Sequence, residues 1–199
     1  MDKPPIGRPR GFDADQALEK AMAVFWEQGY EGASLTDLTT AMGITKTSMY
    51  AAFGNKEELF GKALERYAEG PASYVARALQ LPTAREVATA FLTGAVDAST
   101  TPGCPAGCLY VQGSLAAGDA GRTARDTLAA WRETGRTHLR DRFQQAVDEG
   151  DLPPDTNAEL LARYIMTVAN GISVQAAGGA TRDDLHQVAA MSLRTWPPA

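Results

Sequence analysis

The chain has 199 residues, of which 44% are hydrophobic and 22% charged, with a formal net charge of -5. This is the balance of an ordinary soluble globular protein, long enough to bury a core in one or two compact units. The negative charge excludes a protein that coats nucleic acid indiscriminately, so any nucleic-acid binding has to come from a local positive patch. No apolar run nears the ~20 residues that span a bilayer. The opening Asp2-Lys3-Pro4-Pro5 lacks the apolar core of a signal peptide. The expected location is the cytoplasm, with no membrane partner.

Lys3, Arg8 and Arg10 stand in a segment too rich in proline and glycine to be helical. Taken alone it reads equally as a solvated tail. Ahead of the elements that follow, it reads as a basic arm for a minor groove or for phosphates. The first helix starts near Asp13, which makes a capping box with Gln16. Leu18, Ala21, Met22 and Phe25 recur at helical spacing, and Gly29 offers a stop.

Two short helical patterns follow, separated by Gly43. Ser34 is a good N-cap for the first, with Asp37 three residues on and Leu35, Leu38 and Met42 as its apolar side. Gly43 supplies the left-handed backbone of a sharp turn. Thr45 caps the second helix, which buries Met49 and Phe53 and carries Lys46, Thr47, Ser48 and Tyr50 in its first two turns. Two helices joined by a glycine turn, the second polar at its N-terminus, form a helix-turn-helix whose second helix lies in a DNA major groove. Gly54 ends it, and Asn55 with Glu58 caps a further helix bearing Leu59, Phe60, Ala63, Leu64 and Tyr67. Lys56 falls in the first turn of that helix, where a cation opposes the helix dipole. A DNA phosphate as partner explains this cost, and a plain solvated lysine is the alternative.

From Asp13 to about Gly70 the chain resembles the DNA-binding domain of the tetracycline-repressor (TetR) family of transcriptional regulators. Three blocks in order carry the resemblance: Ala21 to Tyr30, Ser34 to Tyr50, and Phe53 to Phe60. The resemblance implies that Thr36 touches a phosphate, that Lys46, Thr47 and Ser48 face base edges, and that Tyr50 and Lys56 clamp phosphates. Ala51 and Ala52 depart from it, standing where such proteins often carry an aromatic or polar residue. Alanine reaches only a thymine methyl, so fewer side chains here read sequence.

The remaining two-thirds has no strand alternation and no repeat. It reads as helices over Ala72–Leu79, Ala84–Ala98, Ala106–Ala116, Gly121–Glu149, Thr156–Ala177 and Arg182–Arg194, punctuated by proline and glycine. In the resembled family the last two helices pair two subunits through a four-helix bundle. That implies an interface here from Leu161, Tyr164, Val168, Gly171, Ile172 and Gln175, joined by Leu185, Val188 and Met191. An intramolecular core explains each of these residues equally well.

No catalytic constellation emerges. His138 and His186 are the only histidines, and neither has metal-ligand spacing. Neither a nucleophile elbow nor a phosphate or dinucleotide loop is present, so no enzyme activity, metal or cofactor is expected. Trp131, Gly135 and His138 share one face of the longest helix, and a mid-helix glycine costs ~1 kcal/mol relative to alanine. It leaves room either for an effector or for a neighbouring helix. Phe91, Tyr110 and Tyr164 complete the candidate effector contacts. Cys104 and Cys108 read first as small packing residues, with oxidant sensing or metal binding as alternatives. For sensing, Pro105 would open a helix with Cys104 as its N-cap and lower that thiol's pKa.

The expected architecture is all-α, with about nine helices by this periodicity. Residues 1–54 form the basic arm and a three-helix helix-turn-helix domain, and residues 55–199 form an effector-binding and dimerisation domain with Lys56–Gly70 as the connecting helix. The expected function is a homodimeric repressor that reads a palindromic double-stranded operator and is released by a small-molecule effector. Its half-sites would lie about one DNA turn apart, roughly 34–36 Å, or a multiple of it. The alternatives are an activator, or a helical ligand-binding protein or enzyme with an architectural helix-turn-helix.

Overall fold

The computed structural model describes residues 11–115, 122–194 and 196–197. Among them all regular structure is helical. Four helices make the N-terminal part: α1 Ala14–Gly32, α2 Leu35–Met42, α3 Lys46–Phe53 and α4 Lys56–Glu69. Six follow: α5 Tyr74–Leu79, α6 Ala84–Ser99, α7 Leu109–Leu115, α8 Arg122–Asp148, α9 Ala158–Ala177 and α10 Arg182–Ser192. The described residues thus form ten helices rather than nine.

Local chemistry sets most of the helix ends. Ser34 with Asp37 and Asn55 with Glu58 make reciprocal capping boxes at α2 and α4, each cap being worth ~1 kcal/mol. Asp13 caps α1 by accepting from the Asp15 and Gln16 amides, without the return bond from Gln16 that a capping box needs. The helix breaks at Gly29, and one more turn runs on to Gly32. Gly43 adopts φ 70° and ψ 31°, the left-handed conformation that turns α2 sharply into α3.

Two cores lie side by side. The first joins Ala21, Phe25 and Trp26 of α1 to Leu38, Met49, Phe53, Phe60 and Leu64, and it is closed by Leu109, Ala124 and Leu128. Its aromatic rings interlock edge to face: Phe25 with Phe60 at 4.9 Å and Trp26 with Tyr67 at 4.9 Å. The second packs Phe91, Leu92 and Val96 of α6 against Leu139 and Phe143 of α8, Ile165 and Ile172 of α9, and Leu185 of α10.

Helix α8 runs through both cores. Ala124 and Leu128, one turn apart, enter the first, and Leu139, Phe143 and Ala146 enter the second. Between them the helix crosses from one core to the other. On that crossing Trp131, Arg132, Thr134, Gly135 and His138 line the space left where the cores meet.

The segment before α7 departs from the sequence expectation. The helix starts at Leu109, not at Ala106. Gly107 adopts φ 90° and donates its backbone N–H to the Ser99 carbonyl at 2.9 Å. That bond folds the chain back onto the end of α6, and a positive φ is incompatible with a right-handed helix. Ala116 and Gly121, the expected ends of two helices, lie outside the described residues.

Candidate nucleic-acid interface and central cavity

The exposed face of α3 follows from its burial pattern. Met49 is fully buried and Phe53 nearly so, which turns Lys46, Thr47 and Tyr50 outward. Spaced three and four residues apart, these share one helical surface. Thr45 caps α3 by accepting the Ser48 amide at 3.1 Å, and its hydroxyl lies 3.0 Å from that of Ser48. The Ser48 hydroxyl is therefore engaged in the cap rather than turned fully outward. Thr36 is exposed on α2, near the start of the motif. Lys3, Arg8 and Arg10 lie outside the described residues.

Lys56 has a partner that the spacing did not announce. Its ammonium sits 4.5 Å from the centroid of the Tyr30 ring, a cation–π contact that offsets its unfavourable place in the first turn of α4. Burial draws its pKa below the ordinary lysine value, while Glu31 opposes that shift. Lys62 was not singled out from the sequence, yet its ammonium donates to the Phe53 carbonyl at 3.0 Å and so satisfies the end of α3. The signal was a lysine nearly two turns into α4, on the face that meets α3. It emerges only once the two helices are placed together.

The space between the cores is a cavity of about 240 Å³, walled by α4 to α9. It brings together Phe91, Tyr110, Trp131, Gly135 and His138. At Gly135 an added Cβ would come no closer than 4.0 Å to any other side chain, the nearest atom being Met166 Cε. The glycine therefore opens space, and does not admit a neighbouring backbone. Tyr164 lies elsewhere: its hydroxyl donates to the Ser192 carbonyl at 3.0 Å, which ties α9 to the end of α10. It drops out of the candidate effector contacts because its position on α9 faces α10, away from α8.

Several wall residues were not legible as such, among them Tyr74, Arg132 and Asn170. Tyr74 reaches the cavity because Gly94 makes room for it: a Cβ on Gly94 would stand 2.4 Å from the tyrosine ring. Arg132 donates to the Tyr110 carbonyl. The Tyr110 ring stacks on Trp131 at 5.4 Å and meets Tyr67 edge-on at 4.9 Å. Its hydroxyl donates to the Leu64 carbonyl of α4 at 3.1 Å. Tyr110 thus connects the cavity wall to the helix that follows the helix-turn-helix.

The two cysteines occupy different settings. Cys104 is exposed in the loop before α7, and since α7 begins at Leu109 it caps no helix. The expected capping role of Cys104 is thereby corrected, because Gly107 holds this segment out of the helix. Cys108 lines the cavity, and burial raises its thiol pKa, with a hydrogen bond to Tyr67 acting the other way. Among the described residues, no cluster of three or more histidine, cysteine or acidic side chains is placed to hold a metal.

On α9 and α10 the candidate interface splits. Leu161, Ile172 and Leu185 are at most 4% exposed within the single chain, so they belong to its own core. Val188 and Met191 are exposed, as are Gly171 and Gln175, while Val168 is half-buried. Leu160 and Val174, exposed to 62% and 45%, join this outer face. Adjacent residues are turned ~100° apart on a helix, so Leu160 and Leu161 face different ways, and only packing decides which one is inside. No helix among the described residues is long and apolar enough to cross a membrane.

Comparison with known proteins agrees with this geometry. Residues 17–63 match the family model described as bacterial regulatory proteins, tetR family. Residues 87–193 match the one described as tetracyclin repressor-like, C-terminal domain. The chain is 36% identical over 197 residues to the HTH-type transcriptional repressor ComR of Escherichia coli (strain K12), covering 96% of this chain and 92% of that protein. Among solved structures, it is 43% identical to a cysteine-substituted form of the regulator CifR, complexed with 26-base-pair double-strand operator DNA. The two superpose with a TM-score of 0.91 over 96% of this chain and 100% of that one. A regulator from Rhodococcus sp. RHA1 is 45% identical with a TM-score of 0.62, over 90% of this chain and 97% of that one.

Proposed function

This chain belongs to the TetR family of DNA-binding transcriptional regulators, and from that premise we propose a cytoplasmic homodimeric repressor that a small molecule entering the central cavity releases from its operator. The observation that carries the DNA half is the outward face of α3. Lys46, Thr47 and Tyr50 project together beyond a capped N-terminus, fixed by the buried Met49 and Phe53. Laid in a major groove, Lys46 and Thr47 reach base edges, with Ser48 contributing from the cap. Thr36, Thr45, Tyr50 and Lys56 surround them as phosphate contacts, and Lys3, Arg8 and Arg10 extend the arm. The structure of CifR, solved with operator DNA bound, supports the same use of this fold. The relative ComR is likewise named a repressor.

Two-fold DNA needs two copies of this face. The apolar outer side of α9 and α10, with Leu160, Val174, Val188 and Met191 exposed and Gly171 open to close approach, supports pairing through those helices. The division of labour is then residues 1–54 for reading DNA and 55–199 for effector binding and dimerisation. Release follows from the Tyr110 contact. A molecule against Phe91, Trp131, Gly135 and His138 moves Tyr110, and Tyr110 is bonded to α4 through Leu64. Shifting α4 changes the separation of the two α3 helices, and only one separation fits half-sites on one face of DNA.

Gel retardation of the DNA upstream of the protein's own gene tests this reading. Expected is a discrete complex that survives excess random competitor and is formed by a dimer in sedimentation. Equal retardation of operator and random DNA, or a monomer at working concentration, overturns it.

A further inference from the structure

The outward surface of α3 has a centre as well as flanks. Successive residues of a helix are turned roughly 100° apart. Met49 and Phe53, one turn apart and both buried, fix the inward direction. Counted from that direction, Lys46 and Tyr50 fall on one flank, and Ser48 and Ala52 on the other. Ala51 stands opposite the buried pair, with Thr47 beside it one turn earlier. Burial agrees with this count: Thr47 and Ala51 are exposed, while Ser48 and Ala52 are half-buried. Ala52 packs against the core, so the two alanines after Tyr50 are not equivalent.

Whatever α3 is laid upon therefore meets two small side chains first. Their size lets the helix axis come close to base edges, while Lys46 reaches bases from the flank by its length. On the other flank the Ser48 hydroxyl lies 3.0 Å from that of Thr45 and is engaged in the cap. The side chain of Ala51 forms no hydrogen bond, so it can discriminate base pairs only by apolar contact. In the major groove the apolar group that distinguishes one base pair from another is the C5 methyl of thymine. Covering an amino or carbonyl edge with an alanine would strip its water and return no partner. Thr47 presents a second methyl one turn away.

From this geometry we infer that Ala51, supported by Thr47, is a specificity-determining residue that selects a thymine in each operator half-site by its C5 methyl. This thymine is distinct from the base pair that Lys46 contacts. The inference rests on α3 lying in a major groove, as in the proposed function.

Duplexes bound by the full chain are selected from a random pool at fixed salt, and the enriched palindrome is remade with deoxyuridine in place of thymine, one symmetric pair of positions at a time. Deoxyuridine removes the methyl and leaves the hydrogen-bonding edge unchanged. Retardation should show one symmetric pair at which the native protein loses about fourfold per methyl, hence about fifteenfold for the pair. In Ala51→Gly the same replacement should cost about threefold or less. The two duplexes are compared within one protein, so a general weakening of α3 by glycine cancels. If the glycine variant binds too weakly to measure, Ala51→Ser, which sets a hydroxyl against the methyl, carries the same expectation. The assignment of Ala51 is overturned if the enriched half-site holds no thymine, if deoxyuridine is tolerated at every position, or if the penalty is equal in the native and variant proteins. A pool that enriches no sequence sinks the regulator reading itself, and the thymine contact with it.

Discussion

The two halves of this molecule bury their cores in different ways. The N-terminal half is held by interlocked rings, Phe25 and Phe60 at 4.9 Å and Trp26 and Tyr67 at 4.9 Å, none of them more than 2% exposed. The C-terminal half packs helices on small residues, with Ala84, Ala88, Ala95, Ala162, Ala169 and Ala176 in its core, and it encloses the cavity at its seam with the first. A reading head has to hold α3 at a fixed angle, and interlocked aromatics resist displacement. Under the proposed function, the sensing half has to have two arrangements of similar energy. A cavity at the seam gives its lining fewer protein contacts than a packed core, and a ligand can add to them.

The difference is broken most directly at Phe60. Phe60→Ala should cost about 3–5 kcal/mol and abolish DNA binding at physiological temperature, as read by thermal melting and retardation. A melting point within a few degrees of the native one would show that the head is not held by its rings. Within the head, surface changes act mainly on affinity. Lys46→Ala should cost about 1–3 kcal/mol on the operator and relax specificity at one base pair per half-site. Lys56→Ala should weaken all sequences alike and lower the salt dependence of binding, with some loss of stability because the Tyr30 contact goes with it. A uniform loss for Lys46→Ala across operator and random DNA would remove its base-reading role.

The seam is probed by smaller changes. Tyr110→Phe removes a hydrogen bond to Leu64 worth about 0.5–1.5 kcal/mol. Ligand binding should persist while its effect on operator affinity shrinks, and an unchanged coupling would take Tyr110 out of the path. Gly135→Leu should gain up to about 1 kcal/mol in helix propensity and fill the cavity. Induction should be lost, with operator affinity and folding intact. If the variant unfolds instead, Gly135 is a packing residue and the effector site lies elsewhere.

The sequence by itself determined what depends on neighbours a few residues apart. The caps at Ser34, Thr45 and Asn55 and the turn at Gly43 are local hydrogen bonds and local backbone preferences, so the helix-turn-helix could be drawn from its spacing. So could the outward set Lys46, Thr47 and Tyr50, because Met49 and Phe53 leave that face no other direction. Gly135 was legible as an oddity, since a mid-helix glycine calls for a reason, but whether it faced a helix or a void was not.

Tertiary structure decided what depends on residues far apart in the chain. Leu161 is inside and Leu160 outside because α6 and α8 cover one side of α9, and the hydrophobic pattern of α9 is apolar on both. The α7 helix begins three residues late because Gly107 is bonded back to Ser99, a contact that no helix-forming pattern contains. Tyr164 belongs to the α9–α10 contact, since its hydroxyl finds Ser192 there. Arg132 enters the cavity wall because α8 crosses between two cores at that point, leaving a charged side chain where neither core covers it. Spacing along one helix fixes which residues share a face, but burial of that face is an agreement among several helices, and only their assembly states it.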